Sequence, residues 1–243
     1  MLQVKWKEST FKALVEAVAP ISDELKMTFN AEGVEIRVVD YAHVCFIKAT
    51  IPPDEFVEYE VKDQVVIATE IAKLKSILKL AKKEPILMNW GVGKESSGLL
   101  HFEVRDVVKD VGLLQADLVK APNEPNVTLP IKVNFDKEHY KTGVEAVSDV
   151  GSVAKIGFNG ENAYMNCKGS NDKVEVTFNK GATTISSSSE SADTNFSVDY
   201  LARILKGVGE NITMELGQAL PLRVSSETQG CSFVWMVAPR IDN

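Results

Sequence analysis

The stretch Val4-Lys5-Trp6 through Lys12, followed by Val15-Glu16-Ala17-Val18, returns in altered form further along the chain. Its second copy is Val133-Asn134-Phe135 through Lys141, followed by Val144-Glu145-Ala146-Val147, at the same spacing and without a gap. The same register sets Phe29-Asn30 on Phe158-Asn159. Later, Leu74 and Ile77-Leu78-Lys79 match Leu201 and Ile204-Leu205-Lys206, and Ile86-x-Met88-x-Trp90-Gly91 matches Ile212-x-Met214-x-Leu216-Gly217. Each half ends in Ala-Pro, at Ala121-Pro122 and Ala238-Pro239. Collinear matches of this kind identify a duplicated structural unit and constrain the whole architecture.

Between the copies lies Val119-Lys120-Ala121-Pro122-Asn123-Glu124-Pro125-Asn126-Val127-Thr128-Leu129-Pro130. Its three prolines lack amide donors and break helix and sheet alike, which suits an exposed connector. The expected division is a domain over 1–118, a connector over 119–130 and a second domain over 131–243.

Within each half the apolar periodicity is legible. Val34-Glu35-Ile36-Arg37-Val38 and Lys173-Val174-Glu175-Val176-Thr177-Phe178 alternate as strands do. Phe11, Leu14, Val15 and Val18 fall at helical spacing, and so do Ile71, Leu74, Leu78 and Ala81. Tyr140, Val144 and Val147, with Leu201, Ile204 and Leu205, are their counterparts. Ser9 and Thr10 are candidate caps, and Pro20 and Pro85 candidate stops. The order of elements predicts an α+β fold: two alike domains of antiparallel sheet, each covered on one face by two helices.

The formal charge of −7 is the wrong sign for a protein that coats nucleic acid with its whole surface, so any such contact must be local. The cations are concentrated. Lys75, Lys79 and Lys82 share the face of the second helix opposite its apolar stripe, with Lys73 and Lys83 close by. In the duplicate register Lys12 corresponds to Lys141 and Lys79 to Lys206, and Arg203 stands one turn before Lys206. Lysines of this kind meet phosphates and carry no base identity, so binding would be weak, salt-sensitive and sequence-blind. A purely solvating role is the competing explanation for any one of them.

Catalytic and metal signatures are not found. Gly91-Val92-Gly93-Lys94-Glu95-Ser96 departs from the phosphate-loop pattern at Met88 and Glu95 and reads as a hairpin turn. His43, His101 and His139 have no metal spacing, no serine sits in a nucleophile elbow, and Ser186 to Ser189 reads as polar strand or loop. Asp40 reads as a solvated or turn-forming carboxylate. Cys45, Cys167 and Cys231 are odd in number and widely spaced, which fits buried small hydrophobes and no disulfide framework. The two sequons at Asn126 and Asn211 are discounted. No apolar run suits a membrane span or a signal-peptide core, so a soluble, intracellular chain without cofactors is expected.

Val39-Asp40-Tyr41-Ala42-His43-Val44 resembles a loop of the DNA sliding clamps of the proliferating cell nuclear antigen family, archaeal-like in type. Pro221-Leu222 and the ending Val237-Ala238-Pro239-Arg240-Ile241 resemble two later motifs of that family. The resemblance implies a non-enzymatic ring, a homotrimer of two-domain subunits, that encircles duplex DNA and serves DNA polymerase, clamp loader and repair proteins. It implies DNA-facing Lys12, Lys75, Lys79, Lys82, Lys83, Lys141, Arg203 and Lys206. It implies a subunit interface between Asp110–Leu118 of one copy and Lys173–Phe178 of the next, involving Val111, Leu113, Leu114, Lys173, Val174, Val176 and Phe178. It also implies a pocket for short hydrophobic-aromatic peptides, made of Val39, His43, Val44, Val127, Leu129, Pro130, Pro221, Met236, Ala238 and Pro239. Met236 stands where the family often has an aromatic. The alternatives are a subunit of a heterotrimeric or checkpoint-type clamp, a two-domain enzyme, and a peptide-binding adaptor that never encircles DNA.

Overall fold

A computed structural model describes residues 1–91, 98–178, 184–188 and 191–240. The chain divides into two compact units. The first comprises Met1–Tyr41, Ile47–Glu124 and Thr228–Phe233, and the second Ala42–Phe46, Pro125–Glu227 and Val234–Asn243.

In the first unit β1 (Leu2–Trp6), β5 (Phe56–Val61), β7 (Ile86–Trp90), β8 (Leu99–Val104) and β9 (Val107–Gly112) form a sheet in the order β5-β1-β7-β8-β9. β2 (Glu24–Asn30) pairs antiparallel with both β3 (Gly33–Val39) and β6 (Val65–Glu70). α1 (Glu8–Val18) packs against α2 (Ile71–Ala81). In the second unit β11 (Val153–Phe158), β12 (Ala163–Lys168), β13 (Lys173–Thr177) and β15 (Ala192–Ser197) form a sheet in the order β13-β12-β11-β15. β10 (Ile131–Asp136) lies between β14 (Thr184–Ser187) and β16 (Asn211–Leu216), and β16 pairs in turn with β17 (Leu222–Thr228). α3 (Lys137–Ser148) packs against α4 (Val198–Leu205). The remaining strands are β4 (Cys45–Ile51) and β18 (Cys231–Val237). The α+β class and the antiparallel sheets agree with the sequence reading.

Strand register repeats between the units. Val4 sits opposite Met88 and Trp6 opposite Ile86. Their duplicates Val133 and Phe135 sit opposite Met214 and Ile212. Phe29 is opposite Val65, and Phe158 opposite Ala192. A one-residue slip would turn each buried row outward, so the shared register reflects the shared apolar pattern.

The cores are aromatic at matching positions. Trp6 meets Phe11 edge-on at 5.3 Å and Phe56 at 4.5 Å between centroids. In the second unit Phe135 takes the place of Trp6 and Tyr140 that of Phe11, with centroids 6.1 Å apart. The Tyr140 hydroxyl is buried and donates to the Leu201 carbonyl at 3.1 Å, tying α3 to α4. All of Phe11, Leu14, Val15 and Val18 are buried, as their spacing predicts. On α2 the buried residues are Ile71, Leu74, Ile77 and Ala81, so Ile77 and not Leu78 faces the core.

The helix starts differ between the copies. Lys7 precedes α1 without a side-chain cap, so Ser9 and Thr10 do not cap it. Thr10 is instead buried, and its hydroxyl donates to the Gln229 carbonyl at 2.8 Å. The duplicate of Lys7 is Asp136, which does cap α3 by accepting from the His139 amide at 2.9 Å. α2 ends in a left-handed Lys82 at φ 47°, and Lys83 follows at φ 78°.

Candidate functional site

Lys75 and Lys79 project from the exposed face of α2, and Lys82 and Lys83 extend that row past its left-handed end. All four are exposed, and among the described residues none forms an ion pair. The other DNA-facing candidates differ. Lys12 on α1 pairs with Glu16 at 3.8 Å, and Lys141 on α3 pairs with Glu145 at 4.0 Å. Arg203 on α4 pairs with Asp199 at 2.7 Å and lies 5.0 Å from the Tyr200 ring centroid. Lys206, exposed, forms the C-cap of α4. Among the described residues, the candidates without an ion pair are therefore the row on and just past α2, with Lys206 on α4's end. Lys73 is turned elsewhere, donating to the Gly112 carbonyl at 2.9 Å and pairing with Glu70.

Among the described residues β9 and β13 are each a terminal strand of their sheet, so each carries one row of backbone groups without a partner strand there. Among the interface candidates, Val174 and Val176 are half-buried and Lys173 is exposed. Val111 is buried, and Leu113 and Leu114 lie beyond the end of β9, their amides bonded to the carbonyls of Gly98 and Ala68. The exposed apolar residues of β9 are Val107 and Val108, which sequence reading did not single out. Phe178 is buried, follows the end of β13, and stacks on Phe135 at 5.2 Å with the rings 7° apart. Its side chain is committed to the core of its own unit. Alternation along Lys173–Phe178 puts Phe178 on one face with Val174 and Val176, but it does not tell which of them reaches the core.

His101 on β8 lies directly opposite Asp110 on β9. Its Nδ1 is 2.7 Å from Asp110 Oδ1 and its Nε2 3.3 Å from Glu103 Oε1. The bond to Asp110 holds the imidazole above its ordinary range. Among the described residues no cluster of His, Cys, Asp and Glu suits a metal ion.

Of the docking candidates, His43 is exposed with a left-handed backbone at φ 58°, and Val44, Val127, Leu129, Pro130, Pro221, Ala238 and Pro239 are half-buried. Within the second unit the Ala238 amide donates to the Val44 carbonyl at 2.8 Å, which joins the histidine loop to the chain's ending. Pro130 caps the space beside Gly217, where a β-carbon would lie 2.8 Å from its Cδ. Val39 is half-buried on β3 of the first unit, and Met236 is buried on β18. Asp40 is buried, which excludes the solvated reading and leaves the turn-forming one, while the adjacent Tyr41 is fully exposed. Tyr41 and Leu118, also exposed, are apolar surface that periodicity could not identify because both stand outside regular elements. Gly91 is described, but the rest of the hairpin reading, Val92 to Ser96, lies outside the described residues, as do Ser189 and Ile241. No helix is long and apolar enough to cross a membrane among the described residues.

Residues 1–117 match the family model of the proliferating cell nuclear antigen N-terminal domain. The chain is 24% identical to a DNA polymerase sliding clamp of Thermoplasma acidophilum over 100% of both chains. It is 27% identical to one of Methanosarcina barkeri, over 96% of this chain and 95% of that one. Its fold matches the A. fulgidus proliferating cell nuclear antigen, solved with the C-terminal region of FEN-1 bound, at a TM-score of 0.90 and 22% identity over 100% of both chains. A second match is the Thermococcus kodakaraensis protein, at a TM-score of 0.88 and 18% identity over 99% of this chain and 100% of that one. Residues 1–117 thus match the proliferating cell nuclear antigen N-terminal domain, and the chain is related to the DNA sliding clamps over the whole length of both.

Proposed function

We propose that this chain is a sliding clamp: three copies close head to tail around duplex DNA and hold polymerase and other replication and repair proteins on it. The observation that carries the reading is the row Lys75, Lys79, Lys82 and Lys83, exposed and without ion pairs among the described residues, in a chain of net charge −7. Such a row attracts phosphates weakly and without sequence preference. A closed ring then supplies what affinity does not, since it cannot leave the duplex sideways.

Closure uses the two terminal strands. β9 of one copy pairs with β13 of the next, which hides two edges that would otherwise invite aggregation. On this reading Val107 and Val108 join Leu113, Leu114, Lys173, Val174 and Val176 at the interface, while the buried side chains of Val111 and Phe178 support their strands from within. The subunit is organised as 1–118, connector 119–130 and 131–243, and it acts as a scaffold without catalysis, inside the cell and on the chromosome. Partners insert a short turn with one aliphatic and two aromatic side chains beside His43, Val44, Leu129, Pro221 and Ala238, the way a helical segment enters a groove. The A. fulgidus protein, similar in fold, binds the C-terminal region of FEN-1, which supports a docking role.

The test is retention on nicked circular DNA with release after linearisation, together with the native mass of the purified chain. A trimer that is lost through a free end supports the reading. Equal retention on both substrates overturns it. A chain that stays monomeric alone, and joins a ring only with other subunits, moves the reading to the heterotrimeric clamp.

A further inference from the structure

Among the described residues, the backbone groups of 119–129 make no hydrogen bond to other backbone groups. Prolines at 122, 125 and 130 remove donors, so the connector has no sheet to join. It is held by side chains. Arg37 Nη1 donates to Asn123 Oδ1 at 3.2 Å, and Arg37 Nη2 is 2.6 Å from Glu35 Oε1. Glu35 Oε2 is 3.7 Å from Lys48 Nζ, which donates to Glu124 Oε2 at 3.3 Å. The contacts form one circuit that begins and ends on adjacent connector residues, Asn123 and Glu124. Val119, buried, anchors the connector's start, and Arg223 Nη2 donates to the Val127 carbonyl at 3.4 Å within the second unit.

The side chains of the circuit are 27–33% exposed where they pair, so their attraction is only partly screened. Glu35, Arg37 and Val39 alternate along β3 and share one face of it. The row that straps the connector thus leads to Val39, the docking candidate of the first unit. A connector that carries docking residues such as Leu129 loses less entropy on binding if it is already fixed.

We propose that Arg37, Glu35, Lys48 and Glu124 are positioning residues for partner docking: their circuit fixes the connector in the conformation that receives a peptide. This rests on the docking reading above. The circuit carries two cations and two carboxylates, so its contribution weakens with salt and depends on charge at Lys48 and Glu124. A single removed charge leaves the rest of the circuit and Val119 in place, and the subunit folds and assembles as before.

The test uses the full chain and a fluorescent synthetic peptide with one aliphatic and two aromatic side chains. Glu124→Gln and Lys48→Ala are expected to weaken peptide binding about two- to fivefold at low salt, with Lys48→Arg restoring it. Amides of 119–126 should exchange faster in the two weakened variants, and raising salt should narrow their gap from the unaltered chain. Faster exchange with unchanged affinity overturns the proposal, and so does exchange that does not change at all. If the unaltered chain binds no peptide, the docking reading fails and carries this proposal with it; failure of the variants alone leaves that reading standing.

Discussion

The ring of Phe178 occupies the space that a side chain at Gly143 would need: a β-carbon built on Gly143 would lie 3.0 Å from Phe178 Cζ. This explains a glycine inside α3, where it costs about 1 kcal/mol against alanine. The ring gains its place on Phe135 in exchange.

The double-mutant cycle over this pair is expected to be strongly non-additive. Gly143→Ala alone should destabilise the protein, because the ring must shift in a close-packed core. Phe178→Ala alone should cost about 3–5 kcal/mol. In the Phe178→Ala background, Gly143→Ala should stabilise by up to about 1 kcal/mol. Urea unfolding of the four proteins measures this, and simple additivity would refute the packing argument.

DNA contact is expected to be unequal around the duplicated helices. Lys12, Lys141 and Arg203 each face a carboxylate of their own helix, whereas Lys75, Lys79 and Lys82 do not. Replacing Lys75, Lys79 and Lys82 together by alanine should lower the slope of log affinity against log salt, measured on a short duplex, by about 2 to 3. The triple alanine variant of Lys12, Lys141 and Arg203 should change it by less than about 1. Equal slopes in the two variants would mean that the helical ion pairs open on contact with phosphate.

His101 should titrate above the ordinary imidazole range because Asp110 accepts from it across β8 and β9. A base whose folded pKa is raised contributes stability that is complete below its unfolded pKa and lost as pH rises through the folded one. The β8–β9 pair should therefore loosen as pH rises from near 6.5 through the raised value. The histidine resonances in an NMR titration give the value directly, and Asp110→Asn should return it towards 6.5. If that variant leaves the titration unmoved, Asp110 is not the cause.

How much of this was legible in the sequence follows from the physics of each signal. The duplication and the helix faces were legible because burial imposes a period, and Val4 and Val133 do sit opposite Met88 and Met214. The lysine row of α2 was legible for the same reason. What sequence could not reveal was commitment in three dimensions. Phe178 continues an alternating strand on paper but turns into the core, and Asp40 looks like a surface carboxylate but is buried. The circuit from Asn123 to Glu124 joins residues 35 to 124, and no local pattern records a contact at that separation.

Cys231 should be silent to thiol reagents in the folded protein and should make that protein sensitive to alkali. It is buried, and its Sγ donates to the Thr10 carbonyl at 3.6 Å. Burial, with Glu55 as a smaller cause, pushes the thiol from an ordinary 9.0 up to about 12. The unfolded chain thus releases this proton first, and the stability that the protonated thiol contributes is lost as pH rises from 9.0 towards about 12. At about pH 10 the loss from this group should be about 1.4 kcal/mol relative to pH 8. Cys231→Ser keeps a donor for Thr10 but does not ionise in that window, so its loss over the same interval should be smaller by about that amount. Urea unfolding at the two pH values tests this. Equal losses in the two proteins would show that the alkaline sensitivity arises elsewhere, with Tyr59, also raised to about 12, the next group to replace.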